Sequence, residues 1–208
     1  IRLGLERVTA VADALQLRAA PPLTLNVGGT NGKGSATRLA ADLLYRMGCR
    51  VGRFSSPHLH RYNERIEING QPVTDAQIIA AFVAIDAARG DVPLTYFEFG
   101  TLAALWCFRE QGCDAQVLEV GLGGRLDAVN LLDADAALVT SIGTDHQDWL
   151  GQGRDAVGRE KAGIYRRDRV AVCADPAPPP GFVTYCREQK VAPLQLGDDF
   201  SVAAADSD

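Results

Sequence analysis

Residues 28–35 read Gly28-Gly29-Thr30-Asn31-Gly32-Lys33-Gly34-Ser35, with four glycines and one lysine in eight positions. A short apolar run, Leu23 to Val27, precedes them, and an Ala- and Leu-rich run, Ala36 to Met47, follows. Strand, glycine-rich turn, lysine and helix together cradle phosphate. Backbone N–H groups converge on the anion, the helix N-terminus adds partial positive charge, and Lys33 reaches for the terminal phosphates. Ser35 is placed to offer its hydroxyl to a magnesium ion. The pattern departs from the usual phosphate loop in two places: Val27 stands at the first glycine position, and Gly34 follows Lys33 where Ser or Thr is usual. A plain strand-to-helix turn is the alternative, although glycines in this number carry an entropic cost that an anion would justify.

Two more residues could serve the same anion. Glu119 closes an apolar run with Val117, Leu118 and Val120, where a carboxylate is costly unless paired or metal-bound. A salt bridge to Arg125 is the plainer reading. His146 follows the apolar run Ala136 to Ser141 and an Ile-Gly turn; a capping or supporting hydrogen bond is its plainer role. Ser35 and His146 follow predicted strands and Glu119 ends one, so they can converge on a nucleotide's phosphates. Magnesium prefers oxygen ligands, which makes a histidine ligand unusual and leaves room for manganese. The segments Ser55 to Arg65, Thr95 to Glu98 and Asp127 to Asn130 combine aromatic surface with hydrogen-bonding groups. That mixture suits a flat heterocycle with amide-like edges. In isolation, Phe97 and Thr95 read more readily as a core aromatic and a helix cap.

These residues need a scaffold that brings strand ends together. Periodicity predicts helices over 4–17, Ala36 to Met47, Asp75 to Ala88, Phe97 to Glu110, Arg154 to Ile164 and Pro180 to Glu188. Strands are predicted over Leu23 to Val27, Arg50 to Phe54, Arg65 to Ile68, Ala115 to Val120, Ala136 to Ser141, Arg169 to Cys173 and Val191 to Leu196. Asn69-Gly70 reads as a tight turn, and Asp127 to Leu132 as a loop or short turn. Alternation at these lengths implies an α/β domain with a mostly parallel sheet and helices on both faces. Ligands of such sheets sit at the carboxyl ends of the strands.

The composition agrees with that scaffold. Among 208 residues, 47% are apolar and 23% charged, which excludes a disordered tail. A net charge of -5 is a poor match to a nonspecific nucleic-acid binder. No apolar run approaches the length of a membrane span, and no secretory signal is visible. The five cysteines form no close pair, which predicts reduced, partly buried thiols of a cytoplasmic protein.

The loop variant Thr30-Asn31-Gly32-Lys33-Gly34-Ser35 resembles the nucleotide loop of the Mur ligase superfamily, and more narrowly its folylpolyglutamate synthase and dihydrofolate synthase branch. The resemblance runs in order from residue 4 to 164. It continues through Gly4-Leu5-Glu6-Arg7-Val8, Ser55-Ser56-Pro57-His58-Leu59, Asn63-Glu64-Arg65-Ile66 and Leu94-Thr95-Tyr96-Phe97-Glu98. Further on lie Glu119 to Ala128, the segment Asp145 to Gly151, and Arg159-Glu160-Lys161-Ala162-Gly163-Ile164. The forms of Asp148-Trp149-Leu150-Gly151 and Leu94 to Glu98 lean towards the bacterial bifunctional enzymes.

The resemblance implies the fold of the Mur ligase central domain. It also implies ATP as cosubstrate, held by Gly29, Thr30, Asn31, Gly32, Lys33, Gly34 and Ser35. Two magnesium ions are implied, with Ser35, Ser56, Glu119, His146 and Lys161 as their ligands and Lys161 carbamylated. Taken alone, Lys161 would pass as half of a surface ion pair beside Glu160. Lys33, Glu119, His146 and Lys161 become the catalytic set. Leu3, Thr95, Phe97, Glu98, Asp127, Ala128 and Asn130 become the acceptor-side positions, with Phe97 packed on a pterin ring and Asp127 as its polar anchor. Val129 and Thr144 depart from the family's pattern, and neither belongs to the metal set.

The implied reaction is ATP-dependent ligation of L-glutamate to dihydropteroate, and to the terminal carboxyl of tetrahydrofolates, through an acyl phosphate. A small-molecule enzyme, monomeric at full length, is expected, with no nucleic-acid or membrane partner. Family members are roughly twice this length, so the chain is expected to be an N-terminal ATP- and folate-binding domain without the C-terminal glutamate-ligase domain, and weakly active by itself. A folylpolyglutamate synthase lacking the first activity, a Mur-type cell-wall ligase and a non-catalytic phosphate-loop module are the alternatives.

Overall fold

The computed structural model describes residues 3–144 and 147–203. The chain opens with α1 (Glu6–Ala14), which buries Val8, Val11 and Ala12. This helix is shorter than its periodicity predicts, because Gln16 turns to a positive φ of 56° and brings Leu17 back into the core. Then come β1 (Leu23–Gly28), α2 (Lys33–Arg46), β2 (Val51–Phe54), β3 (Ile66–Ile68), β4 (Gln71–Pro72), α3 (Asp75–Arg89) and α4 (Tyr96–Glu110). The second half holds β5 (Ala115–Glu119), β6 (Ala136–Val139), α5 (Gln147–Leu150), α6 (Gly153–Ala162), β7 (Val170–Cys173), α7 (Pro180–Glu188) and β8 (Leu194–Gln195). Short 3₁₀ turns cover Tyr62–Arg65 and Ala128–Leu131. The last strand is two residues long where a longer one is predicted. Pro193 has no N–H to give a ladder, so pairing starts only after it.

All eight strands form one sheet in the order β4-β3-β2-β5-β1-β6-β7-β8. The five pairings from β2 to β8 are parallel, and β3 pairs antiparallel with both β2 and β4. The mostly parallel α/β architecture predicted from the alternation is therefore the one observed. β1 lies between β5 and β6, so the chain leaves it towards one side and later returns on the other. That switch point opens a crevice at the carboxyl edge of the central strands.

Both faces of the central strands are covered. Val27, Val51, Ala115 and Val117 pack under α2 through Ala41. The opposite face carries the larger cluster, where Phe54, Leu102, Phe108 and Leu118 join α1 and α3, and Ala137, Val139, Ile164 and Phe182 continue it beneath α6 and α7. Among the described residues, no helix is long and apolar enough to cross a membrane. All five cysteines are free, and four of them are buried. Burial pushes the Cys107 and Cys186 thiols up to about 12, which leaves them protonated and unreactive.

Close packing is tightest where β2 meets α4. A Cβ on Gly52 would stand 2.4 Å from Cδ1 of Phe108, a ring with no solvent exposure. Gly52→Ala must therefore displace the ring or the strand, at about 1–3 kcal/mol for overpacking. Urea unfolding of the variant should show a lower midpoint with an unchanged slope.

Candidate functional site

The loop between β1 and α2 is held by the residues that follow β6. Thr30 N–H donates to the Ser141 carbonyl (2.8 Å), and Asn31 N–H donates to Ser141 Oγ (3.0 Å). The Thr140 hydroxyl donates to the Asn31 carbonyl (2.7 Å), and Gly143 N–H donates to Thr30 Oγ1 (2.8 Å). This bracing explains Gly29. Its φ is 145°, and a Cβ there would fall 1.9 Å from Thr140 Oγ1, so only glycine fits. Gly32, at a φ of 82°, turns the chain straight into α2, which begins at Lys33 and not at the predicted Ala36. The lysine thus sits in the first helical turn, with Nζ donating to the carbonyls of Gly29 (2.9 Å) and Thr30 (3.2 Å). Ser35 is exposed on the same turn.

Glu119 ends β5 beside this loop. It is 4% exposed, and Ser56 N–H donates to its Oε2 at 3.2 Å. Burial raises its pKa above the ordinary carboxylate value, while the Ser56 N–H and the charges of Lys33 and Arg53 oppose that rise. Arg53 also donates to Ser55 Oγ (2.8 Å) and pairs with the buried Glu67, so the turn carrying Ser56 is fixed from below. The alternative for Glu119, a salt bridge to Arg125, is not realised; Arg125 pairs with Glu160 at 2.8 Å. A Cβ on Gly34 would lie 3.8 Å from Glu119 Oε2, so the carboxylate faces the N-terminus of α2. A carboxylate beside an anion cradle repels phosphate unless a cation lies between them. The hydroxyls of Ser35 and Ser56 add hard oxygen donors of the kind magnesium and manganese accept.

Lys161 is 4% exposed in α6, so it is no surface ion pair. Its backbone packs on Gly124 in the loop after β5, where a Cβ would come within 3.2 Å of the Lys161 Cα. His146 lies outside the described residues. Among the described residues, no three His, Cys, Asp or Glu side chains gather into a ready metal cluster.

A cleft of about 580 Å³ runs from Lys33 and Ser56 to a second wall made by Leu3, Thr95, Phe97, Glu98, Asp127 and Ala128. Phe97 lies against Gly121, whose Cβ position is 2.5 Å from the ring, and its ring centroid is 5.6 Å from that of Phe54. Thr95 caps α4: Glu98 N–H donates to its hydroxyl, and Thr95 N–H donates to Glu98 Oε2 (2.7 Å). Glu98 is buried and also paired with Arg7 at 2.8 Å, so its carboxylate is committed to the scaffold while the residue lines the cleft. Asn130 is not among the cleft-lining residues. Its amide donates to the carbonyls of Arg125 and Gly163 (both 3.0 Å), which ties down the turn that presents Asp127. Sequence reasoning missed the Thr140–Ser141 brace and the cleft residues Arg65, Tyr96, Gly121 and Leu122. Arg65 and Tyr96 stood in segments already singled out; the brace had no signal, since two hydroxyl residues after a strand are commonplace.

No family model matches the chain. The dihydrofolate synthase/folylpolyglutamate synthase of Escherichia coli (strain K12) is 46% identical over 208 residues, covering 100% of this chain and 49% of that protein. The solved structure of E. coli FolC in complex with DHPP and ADP superimposes with a TM-score of 0.96 at 46% identity, over 100% of this chain and 50% of the other. A bifunctional folylpolyglutamate synthase/dihydrofolate synthase with Mn, AMPPNP and L-glutamate bound gives a TM-score of 0.92 at 45% identity, over 98% of this chain and 50% of the other. The chain spans about half the length of the curated relatives it matches.

A phosphate loop opening a mostly parallel sheet, with an acceptor-sized cleft beside it, defines a nucleotide-binding domain of the Mur ligase superfamily. Within that class the chain belongs to the bacterial dihydrofolate synthase/folylpolyglutamate synthase family, matching its N-terminal ATPase domain.

Asp127 gives the site a pH signature. Its carboxylate accepts the N–H groups of Leu122 (2.8 Å) and Val129 (3.1 Å), yet burial outweighs these and pushes it up to about 7. A folded-state value above the unfolded 3.8 means that its contribution to stability is full below 3.8 and is lost as pH rises to about 7. The stability of the wild type relative to Asp127→Asn, taken from urea midpoints, should decline across that window and level off above it. A flat difference would contradict the assignment.

Proposed function

We propose that this chain is the nucleotide- and acceptor-binding part of an ATP-dependent amide ligase of the cytoplasm. It would join L-glutamate to dihydropteroate, giving dihydrofolate, and to the terminal γ-carboxyl of tetrahydrofolates, giving polyglutamates. One observation carries the reading: Lys33 at the phosphate loop and the Phe97–Asp127 wall share a single cleft. That is the layout needed to bring a carboxylate on a flat heterocycle up to the γ-phosphate of ATP. A relative bound to DHPP and ADP, and another bound to a nucleotide and L-glutamate, support it.

In this proposal the acceptor carboxylate attacks the γ-phosphorus, ADP leaves, and the amine of glutamate then displaces phosphate from the acyl phosphate. Residues 29–35 present their N–H groups to the β- and γ-phosphates, and Lys33 exchanges its loop carbonyls for phosphate oxygens. Phe97 packs on the ring, Asp127 takes its polar edge, and Leu3, Thr95, Glu98 and Ala128 close the wall. Asn130 acts through the turn that carries Asp127. Ser35, Ser56, Glu119, His146 and a carbamylated Lys161 would hold two divalent ions, which supply positive charge between phosphate and acceptor. The buried setting of Lys161 supports the carbamate, since desolvation favours the neutral amine that reacts with carbon dioxide. No side-chain nucleophile is required; the task of the residues is to align mutually repelling anions.

Glutamate-site groups would come from the half of the relatives' length that this chain does not span, so the 208-residue chain by itself should bind nucleotide and turn over poorly. Glu119→Gln should weaken Mg-ATP binding by about tenfold or more, with metal-free nucleotide binding little changed, as titration calorimetry would read. The activity itself is tested on the complete reading frame, following ADP release with Mg-ATP, L-glutamate and either dihydropteroate or tetrahydrofolate. Turnover with both is the expected result. Turnover with tetrahydrofolate alone would reduce the proposal to tail extension, and silence with both would refute it.

A further inference from the structure

The loop between β2 and β3 forms one wall of the cleft through Ser56, Pro57 and Arg65, and Tyr62 is its aromatic anchor against Phe82 and Tyr96. Leu59, at its tip, is 83% exposed. The backbone of that tip is held by one carboxylate. Glu64 accepts three successive backbone N–H groups, from Leu59 to Oε2 (2.7 Å) and from His60 (3.0 Å) and Arg61 (2.8 Å) to Oε1. Consecutive amides converging on one anion make a concave nest, a geometry that a neutral acceptor satisfies poorly. These donors hold the Glu64 carboxyl below its ordinary value.

The neighbouring residue completes the fold-back. Arg65 Nε donates to His58 Nδ1 (2.8 Å), and its guanidinium lies 5.7 Å and 5.3 Å from the ring centroids of Tyr62 and Tyr96. The loop is thus clamped on two sides of one turn, by Glu64 on its backbone and by Arg65 on His58. Arg65 faces the cleft, whereas Glu64 lines a separate groove with Arg61 and Asp75. Glu64 therefore has no route to the acceptor except through the loop.

We propose that Glu64 is a positioning residue for the acceptor side of the cleft: by bracing residues 59–61 it fixes where Arg65 and Pro57 stand, while Ser56 is held separately through its N–H on Glu119. This inference rests on the reading of the cleft as the acceptor site. Glutamine has one acceptor oxygen in place of two and turns an NH₂ group towards an N–H donor, so Glu64→Gln preserves size while breaking the brace.

The test uses the complete reading frame with Glu64→Gln and Glu64→Ala. KM for dihydropteroate should rise about tenfold with KM for Mg-ATP moving less than about twofold, because Ser56 keeps its bond to Glu119 and displacement of Arg65 and Pro57 misplaces only the acceptor. Hydrogen exchange at the amides of Leu59, His60 and Arg61 should quicken in the same variants. An unchanged acceptor KM, or equal rises for both substrates, would overturn the proposal, and Glu64→Gln decides it if Glu64→Ala does not fold. Absence of acceptor-dependent turnover in the wild type would instead overturn the ligase reading. In that event, unaltered exchange at the three amides of Glu64→Gln would still overturn the brace.

Discussion

A carboxylate at the end of a central, fully covered strand has to be compensated, and much of the site is arranged around that constraint. Glu119 stands on β5, next to β1, with 4% of its surface exposed. Ser56 N–H, Lys33 and Arg53 all offset its charge, and they arrive from two directions. β2 delivers Arg53 and the turn with Ser56, and α2 delivers Lys33. The groups that offset the carboxylate also bring a lysine, a glycine-rich loop and hydroxyl oxygens to one crevice. Burial leaves the pKa raised, so compensation is incomplete without a further positive charge.

The phosphate loop shows how rigidity is imposed on a glycine-rich segment. Four glycines in eight residues would wander in isolation. Here Thr140 and Ser141, which follow the adjacent strand β6, donate and accept across the loop at three points. The close approach at Gly29 is what lets those hydroxyls reach. Loop and brace are a hundred residues apart in sequence and neighbours only because β6 pairs with β1. Preorganised N–H groups of this sort bind an anion without reordering when it arrives.

The far wall of the cleft is built on a different principle. Its floor is apolar and rigid, since Phe97 packs on Phe54 and Gly121. Its polar features are held from behind: Asn130 secures the turn of Asp127, Arg7 and Thr95 engage Glu98, and Glu64 braces the β2–β3 loop. Several residues that a motif comparison assigns to the ligand are therefore engaged with the scaffold. Thr95 is both helix cap and cleft wall, so the two readings open at the sequence level are not exclusive.

The sequence by itself determined the α/β class, nearly every helix and strand, and the phosphate loop, because periodicity and glycine spacing are local properties that act within a few residues. It also marked Glu119, since a carboxylate in an apolar run is conspicuous wherever it falls. It misjudged the boundaries at α1 and β8, where a positive φ at Gln16 and the missing N–H of Pro193 ended elements that patterning would extend. Only the tertiary structure decided that Arg125 serves Glu160, that Asn130 faces the scaffold, that Lys161 is buried and that Thr140 and Ser141 brace the loop. Those facts depend on strand order and on which side chain reaches a buried group first. The order β2-β5-β1-β6 is a global solution to burying two apolar faces, and no window of the chain contains it.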